Sequence, residues 1–180
     1  MRRNTWKSIA LISLALILGT GGSAWAANPA TISVTVTIQS LSVSATGAIA
    51  FGTVATSTST VSGTSSTVLN DGNVTETFSL SLTNPATWTA VQAAPAVAEE
   101  YALLAQFNSS APTSGSFTYA NHALSTTSVA SSGTKFAGNQ NGLSLPATTV
   151  RNLWFRFDAP TSTAVTTQQT ITVTVTASAG

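Results

Sequence analysis

The sequence has 180 residues, of which 43% are apolar and only 6% are charged, against about 25% charged residues in an average soluble protein. Six Lys and Arg residues stand against five Asp and Glu, with one His and no Cys. The missing cysteines exclude disulfides, thiolate metal sites and cysteine nucleophiles. The weak charge argues against a nucleic-acid partner, and the length suits a single domain.

The N-terminal segment has the features of a secretory signal peptide. A basic start precedes an apolar run over residues 9–19, and Ala24 and Ala26 place small residues where a signal peptidase cleaves. The run is shorter than the roughly 20 residues that span a membrane. We therefore expect residues 1–26 to be a signal peptide and residues 27–180 to be a secreted or cell-surface protein without a membrane span.

Regular alternation of apolar and polar residues begins soon after this segment and predicts a strand over residues 31–38. The apolar members are Ile32, Val34, Val36 and Ile38. The phase then slips near Gln39 and Ser40, which predicts a bulge or bend, because an unbroken strand would turn its apolar side outward. A second strand is predicted over residues 48–54.

The next predicted feature is a β-hairpin. Residues 67–69 and the alternating run over 74–82 flank a turn that contains Asp71 and Gly72. An Asp-Gly pair between alternating segments favours a tight two-strand turn, since both residues tolerate positive φ. Glu76 falls on the apolar face of the second strand, where a carboxylate needs a partner or a position at the rim.

Residues 96–107 fit two patterns, a helical face and an alternating strand. We favour a strand over residues 101–107, with Glu99 and Glu100 in the preceding turn, because the flanking segments are strand-like. A short helix remains the alternative for this stretch.

Two more alternating segments complete the prediction. Leu153, Phe155 and Phe157 alternate with polar neighbours, and a strand over residues 170–176 carries Ile171, Val173 and Val175 on one face. Several short strands separated by turn signals predict an all-β fold. The expected architecture is a single immunoglobulin-like or jelly-roll-like β-sandwich over residues 27–180.

Residue types that carry catalysis or bind metals are scarce. His122 is the single imidazole, and it lies in a loop-like stretch without a nucleophile motif, so we expect a solvated loop histidine. The adjacent Glu99 and Glu100 would face opposite sides of a strand, which does not suit a glycosidase pair. Asp71 alone is too few oxygen ligands for calcium. No catalytic residue, metal site or cofactor is predicted.

Aromatic side chains give the most credible binding signal. Trp88, Trp154, Tyr101 and Tyr119 could form a platform on which sugar rings stack. The alternative interpretation is structural: tryptophan is usually largely buried. Trp154 also shares a strand face with Arg156 and Asp158, which could form a cation–π contact and an ion pair without any ligand.

These features together indicate a non-catalytic structural protein, a subunit of an extracellular surface layer, matrix or pilus-like filament. Residues 31–38 and 170–176 carry no charge and no proline, so the usual protection of a sheet edge is missing, and either strand could pair with another chain. The expected partners are the protein itself or other surface proteins. A carbohydrate-binding or adhesive module, with polysaccharide as ligand, is the alternative function.

Overall fold

The computed structural model describes residues 30–180, so the predicted signal peptide and its cleavage site lie outside the described residues. Residues 30–37 and residues 38–180 are described separately, because they belong to two different units of the chain.

The segment 30–37 contains no helix and no strand. Its apolar side chains Ile32, Val34 and Val36 are 85–88% exposed, and Ile38, the first residue of the second unit, is 77% exposed. The prediction of a strand over 31–38 is therefore wrong for a single copy of the chain. The physical reason is that a strand requires a neighbour for its backbone hydrogen bonds, and this segment has none in the described residues.

Within residues 38–180 the chain forms nine strands in two sheets. The strands are β1 (Val43–Thr46), β2 (Ser59–Val61), β3 (Ser66–Asn70), β4 (Glu76–Thr83), β5 (Thr89–Ala90), β6 (Glu100–Phe107), β7 (Val129–Ala130), β8 (Val150–Asp158) and β9 (Thr172–Ala179). The larger sheet has the order β1-β3-β8-β6-β5, with β2 also paired to β8, and the smaller sheet has the order β7-β4-β9. The prediction of an all-β chain is confirmed, whereas the immunoglobulin-like or jelly-roll type stays a prediction.

The main apolar core combines side chains from both sheets. Val68, Leu103 and Phe155 come from the larger sheet, and Phe78 and Leu80 come from β4 of the smaller one. The alternation predicted for Leu153, Phe155 and Phe157 is confirmed, because all three are buried in this core.

The larger sheet is also covered on its other face. A second apolar cluster combines Ala102 and Leu104 of β6 and Trp154 of β8 with Phe117 and Ala123. Phe117 and Ala123 flank a one-turn helix, α1 (Tyr119–His122). The strand predicted over 101–107 is confirmed as β6. Both of its faces are buried, so its sequence does not show a clean alternation of apolar and polar residues.

The predicted hairpin is wrong in its pairing. Both arms are strands, but β3 pairs with β1 and β8, whereas β4 pairs with β7 and β9. The loop between them therefore carries the chain from one sheet to the other. Val68 and Phe78 are both completely buried in the shared core, so packing across the core determines the arrangement rather than the turn residues.

No helix in residues 30–180 is long and apolar enough to span a membrane.

Candidate functional site

A groove of about 1120 Å³ lies between the two sheets of residues 38–180. It lies between two sheet edges, formed by β1 of the larger sheet and β9 of the smaller sheet. Its base consists of core side chains of β6 and β8, namely Leu103, Leu153, Phe155 and Phe157, with Trp88 beside them. The groove is thus an opening into the main apolar core.

Two of the three strands of the smaller sheet, β4 and β9, differ in how far their inner faces are covered. Leu80 and Leu82 of β4 stand directly opposite Val175 and Val173 of β9, and directly opposite residues point to the same face of a sheet. The two leucines are 0% and 3% exposed, while the two valines are only half-buried. The inner face is therefore closed at β4 and open at β9.

The outer edge of β9 is also free of backbone partners. The Gly180 N–H donates to Thr75 O, so the alternation of an antiparallel ladder directs the backbone groups of Val173, Val175 and Ala177 away from β4. Within residues 38–180 no other strand pairs with β9. The strand predicted over 170–176 is confirmed as β9, which starts two residues later and ends three residues later than expected, and it is an edge strand.

The opposite wall of the groove is an irregular segment, residues 48–54, and the strand predicted there is wrong. Gly47 has a φ of +101°, a conformation that favours glycine, and it carries the chain out of β1. Ile49, Phe51 and Val54 then pack against the core without backbone pairing. The Phe51 ring lies 5.5 Å from that of Phe157, centroid to centroid.

The segment 38–42, immediately before β1, is held by hydrogen bonds to the loop between β3 and β4 and to Glu76. The Ser42 N–H donates to Glu76 Oε1 over 2.7 Å, and the Ser40 N–H donates to Asn73 Oδ1 over 2.8 Å. Glu76 is completely buried, and its Oε2 has no hydrogen-bond partner in the described residues. A Cβ on Gly72 would overlap Glu76 Oε1 and lie 2.6 Å from Ser40 O, so this loop requires glycine there.

The four aromatic residues predicted as a sugar platform do not share one exposed face. Tyr101 is buried in the main core and Trp88 packs against it, with their ring centroids 6.1 Å apart. Trp154 is buried in the second cluster, on the other face of the larger sheet, and Tyr119 packs there. The Trp88 Nε1–H donates to Thr163 Oγ1 and the Tyr101 hydroxyl donates to Asn84 Oδ1. Burial raises the pKa of Tyr101.

Arg156 and Asp158 form a buried ion pair beside Trp154. Arg156 Nη2 donates to Asp158 Oδ2 over 2.6 Å, and the Tyr119 hydroxyl donates to the same oxygen over 2.7 Å. Burial acts to raise the pKa of Asp158, but hydrogen bonds from Arg156, Ser59 and Tyr119 outweigh it and hold that pKa below its ordinary value. The guanidinium lies over the Tyr119 ring at 5.3 Å. The predicted ion pair is confirmed, with Tyr119 as its aromatic partner.

His122 is buried, so the prediction of a solvated loop histidine is wrong. Its Nδ1 accepts a hydrogen bond from the Thr118 N–H over 2.8 Å, and its Nε2 lies 3.1 Å from Ala137 O. An Nδ1 that accepts leaves the ring proton on Nε2, which therefore donates to this carbonyl. Burial lowers the pKa of His122, so the neutral form that both contacts require is favoured.

Among residues 30–180 no group of three or more His, Asp and Glu side chains is placed to hold a metal ion. Two of the surface carboxylates have backbone partners instead: Glu99 accepts from the Ala164 N–H and Glu100 accepts from the Ala96 N–H.

Comparison of the chain with protein-family models, with curated proteins and with solved structures gives no match.

Proposed function

We propose that the chain is a secreted, non-catalytic structural protein, a subunit of an extracellular surface layer, matrix or pilus-like filament. It assembles through strand pairing, with itself or with other surface proteins as partners. The observation that carries this proposal is the free edge of β9 beside an incompletely covered apolar core. A strand added at that edge would satisfy the backbone groups and cover the apolar side chains in one step.

The composition of β9 supports pairing at this edge. Thr172–Ala179 contains only Thr, Val, Ala and Ser, whereas sheet edges that avoid association usually carry charges, proline or a bulge. The whole of residues 27–180 holds three basic and five acidic side chains, so few charges have to be desolvated when subunits pack together.

The non-catalytic part of the proposal rests on the contacts of the polar side chains. Both ring nitrogens of His122 bind backbone groups, which leaves no nitrogen free to act as a base. Asp158 is held by Arg156 and Tyr119, and Glu76 joins the segment 38–42 to β4. Each of these groups has a structural role that needs no substrate.

The immunoglobulin-like or jelly-roll-like sandwich is proposed as the fold type. Its support is a main core shared by the inner faces of two sheets and a chain that passes between the sheets through the loop 70–76. Both sandwich types have these features.

Secretion predicts a defined start for the exported protein. With cleavage after Ala26, the first residue of the secreted form is Ala27. N-terminal sequencing of secreted material measures this directly. A start at Met1, or beyond Ile32, would contradict the predicted signal peptide.

The assembly proposal predicts that the secreted protein forms extended particles as its concentration rises. Static light scattering and electron microscopy of the purified protein measure this. Thr174→Lys places a charge on the exposed face of the β9 edge, and we expect it to weaken association while circular dichroism stays unchanged.

Thr113→Lys is the matched control, because it adds the same charge at an exposed position outside β9. It should assemble like the natural protein. A natural protein that stays monomeric at high concentration would overturn the assembly proposal, and equal effects of the two lysines would show that β9 is not the pairing edge.

A further inference from the structure

We propose that the groove of one copy is occupied by residues 31–38 of a second copy, which add as a strand to the free edge of β9. This inference rests on the proposed structural function and names the partner of its pairing edge. The copies are then linked head to tail, each giving its segment 31–38 and receiving that of a neighbour.

The segment 31–38 carries exposed apolar side chains, and the groove has an apolar surface that is incompletely covered. Ile32, Val34 and Val36 project from alternate positions and are 85–88% exposed, an arrangement that costs free energy in water. The groove presents the half-buried Val173 and Val175 above a base of core side chains. A strand that pairs with β9 directs alternate residues to the same inner face, so the apolar members of 31–38 would complete the core.

The backbones also match in length and in their free groups. The segment 31–38 and β9 both have eight residues. Val173, Val175 and Ala177 direct their backbone groups outward, as the ladder with β4 requires. The segment 30–37 forms no strand, so its backbone can supply the complementary groups. Neither strand carries a charge, and no ion pair is broken when they meet.

The residues that follow the segment favour a second copy over the same chain. Ile38 O accepts from Asn73 Nδ2, Ser40 N–H donates to Asn73 Oδ1, and Ser42 N–H donates to Glu76 Oε1. These bonds hold the backbone of residues 38–42 immediately before β1, and β1 lies at the edge of the larger sheet beside the groove. A chain that inserted its own segment beside β1 would have to reverse direction within 38–42, because a parallel return needs a connection of a dozen or more residues.

Head-to-tail pairing of this kind leaves an unused surface at each end of a row of copies. The donating surface and the receiving surface are different parts of the chain, so each added copy leaves one free segment and one free groove. Such heterologous contacts generate open, helical filaments unless the rotation between copies closes a ring. The inference therefore assigns a polarity to the proposed filament.

The first test compares the two faces of the segment. Val34→Gln with Val36→Gln would bury two amides in the groove, and we expect the concentration needed for assembly to rise roughly tenfold or more. Ser33→Gln with Thr35→Gln is the matched control, because it places the same side chains on the opposite face. The control should assemble like the natural protein, with circular dichroism unchanged in both variants.

The second test uses the absence of cysteine from the sequence. A Val34→Cys or Val36→Cys chain is mixed with a mass-tagged Val175→Cys chain and oxidised. A disulfide between the untagged and tagged chains is expected for at least one of the two positions. Thr35→Cys, on the other face, should couple far less with the same Val175→Cys chain.

The outcomes separate this inference from the proposed function. If the natural protein assembles but the double Gln variant does too, and neither the Val34→Cys nor the Val36→Cys chain forms a disulfide with the tagged chain, the occupant is wrong and the structural function stands. If the natural protein stays monomeric, the structural function fails. A disulfide formed only within a doubly substituted chain, Val34→Cys with Val175→Cys, would show that the segment fills its own groove and would overturn the second copy as occupant.

Discussion

Asp158→Ala is expected to lower the free energy of unfolding by about 3–5 kcal/mol, the usual cost of removing one partner of a buried ion pair. Asp158 is 3% exposed and accepts hydrogen bonds from Arg156 Nε and Nη2 at 2.8 and 2.6 Å. Its removal leaves the guanidinium buried with only the carbonyls of Ser114 and Phe117 as acceptors. Chemical denaturation of the natural protein and the variant measures the difference.

The pH dependence of the same pair gives a second readout. The pKa of Asp158 lies below its ordinary value of 3.8 in the folded protein. The unfolded chain therefore binds the proton more readily, so the contribution of the pair is present above about pH 3.8 and is lost as the pH falls below that value. We expect this acid-dependent part of the stability to be absent from Asp158→Ala.

A double variant is the control for this prediction. Arg156→Met with Asp158→Leu removes both charges and fills similar space, and such replacements are often neutral or stabilising. It should unfold at a higher denaturant concentration than Asp158→Ala. If Asp158→Ala and the double variant are equally destabilised, packing rather than the unpaired charge determines the loss.

Sequence periodicity is sufficient where one face of a strand is apolar and packs against the main core. The alternation at Leu153, Phe155 and Phe157 and at Val173 and Val175 placed β8 and β9 and the faces they turn to the core. The outer face of β8 was harder to interpret, because its polar residues Arg156 and Asp158 are buried too. Residues 114–123 pack over these two side chains, and their sequence has no regular periodicity from which this packing could be predicted.

The pairing of β3 and β4 could not be predicted from the turn between them. Asp-Gly favours a hairpin locally, but the loop is held by distant parts of the chain: Asn70 Nδ2 donates to Leu145 O, and the Gly72 N–H donates to Ser42 O. Hydrogen-bond partners that lie 75 and 30 residues away along the chain leave no signal in the sequence of the loop itself. Asn70 is completely buried and its amide has to be satisfied there, but its burial is a result of the fold and cannot be read from the sequence.

The segment 31–38 shows the opposite case, in which the sequence pattern was strong and the single copy does not use it. Its alternation is as regular as that of β9, yet its apolar side chains are exposed and the segment 30–37 forms no strand. Local propensity and tertiary structure normally agree in a stable chain. This disagreement is the reason that we propose a second copy as the partner of the segment, and β9, which lines the groove, has the same number of residues.

Leu80→Ala and Val175→Ala test whether the core is open at β9. The two residues stand opposite each other on one face, but Leu80 is completely buried and Val175 is half-buried. Leu80→Ala should cost about 2–5 kcal/mol in the free energy of unfolding. Val175→Ala should lower the free energy of unfolding of the monomer clearly less, because part of the Val175 side chain is already in water. This difference should be larger than the smaller size of valine alone explains.

Val68→Ala supplies the size-matched comparison, since Val68 is also a valine but is completely buried. We expect it to destabilise the monomer more than Val175→Ala, as measured by chemical denaturation at concentrations too low for assembly. In assembled protein the difference should shrink, because a strand added at β9 buries Val175 and makes its truncation more costly. Equal costs for Val68→Ala and Val175→Ala in the monomer would mean that the core is already closed at β9, and the groove would then have no need of a strand from a second copy.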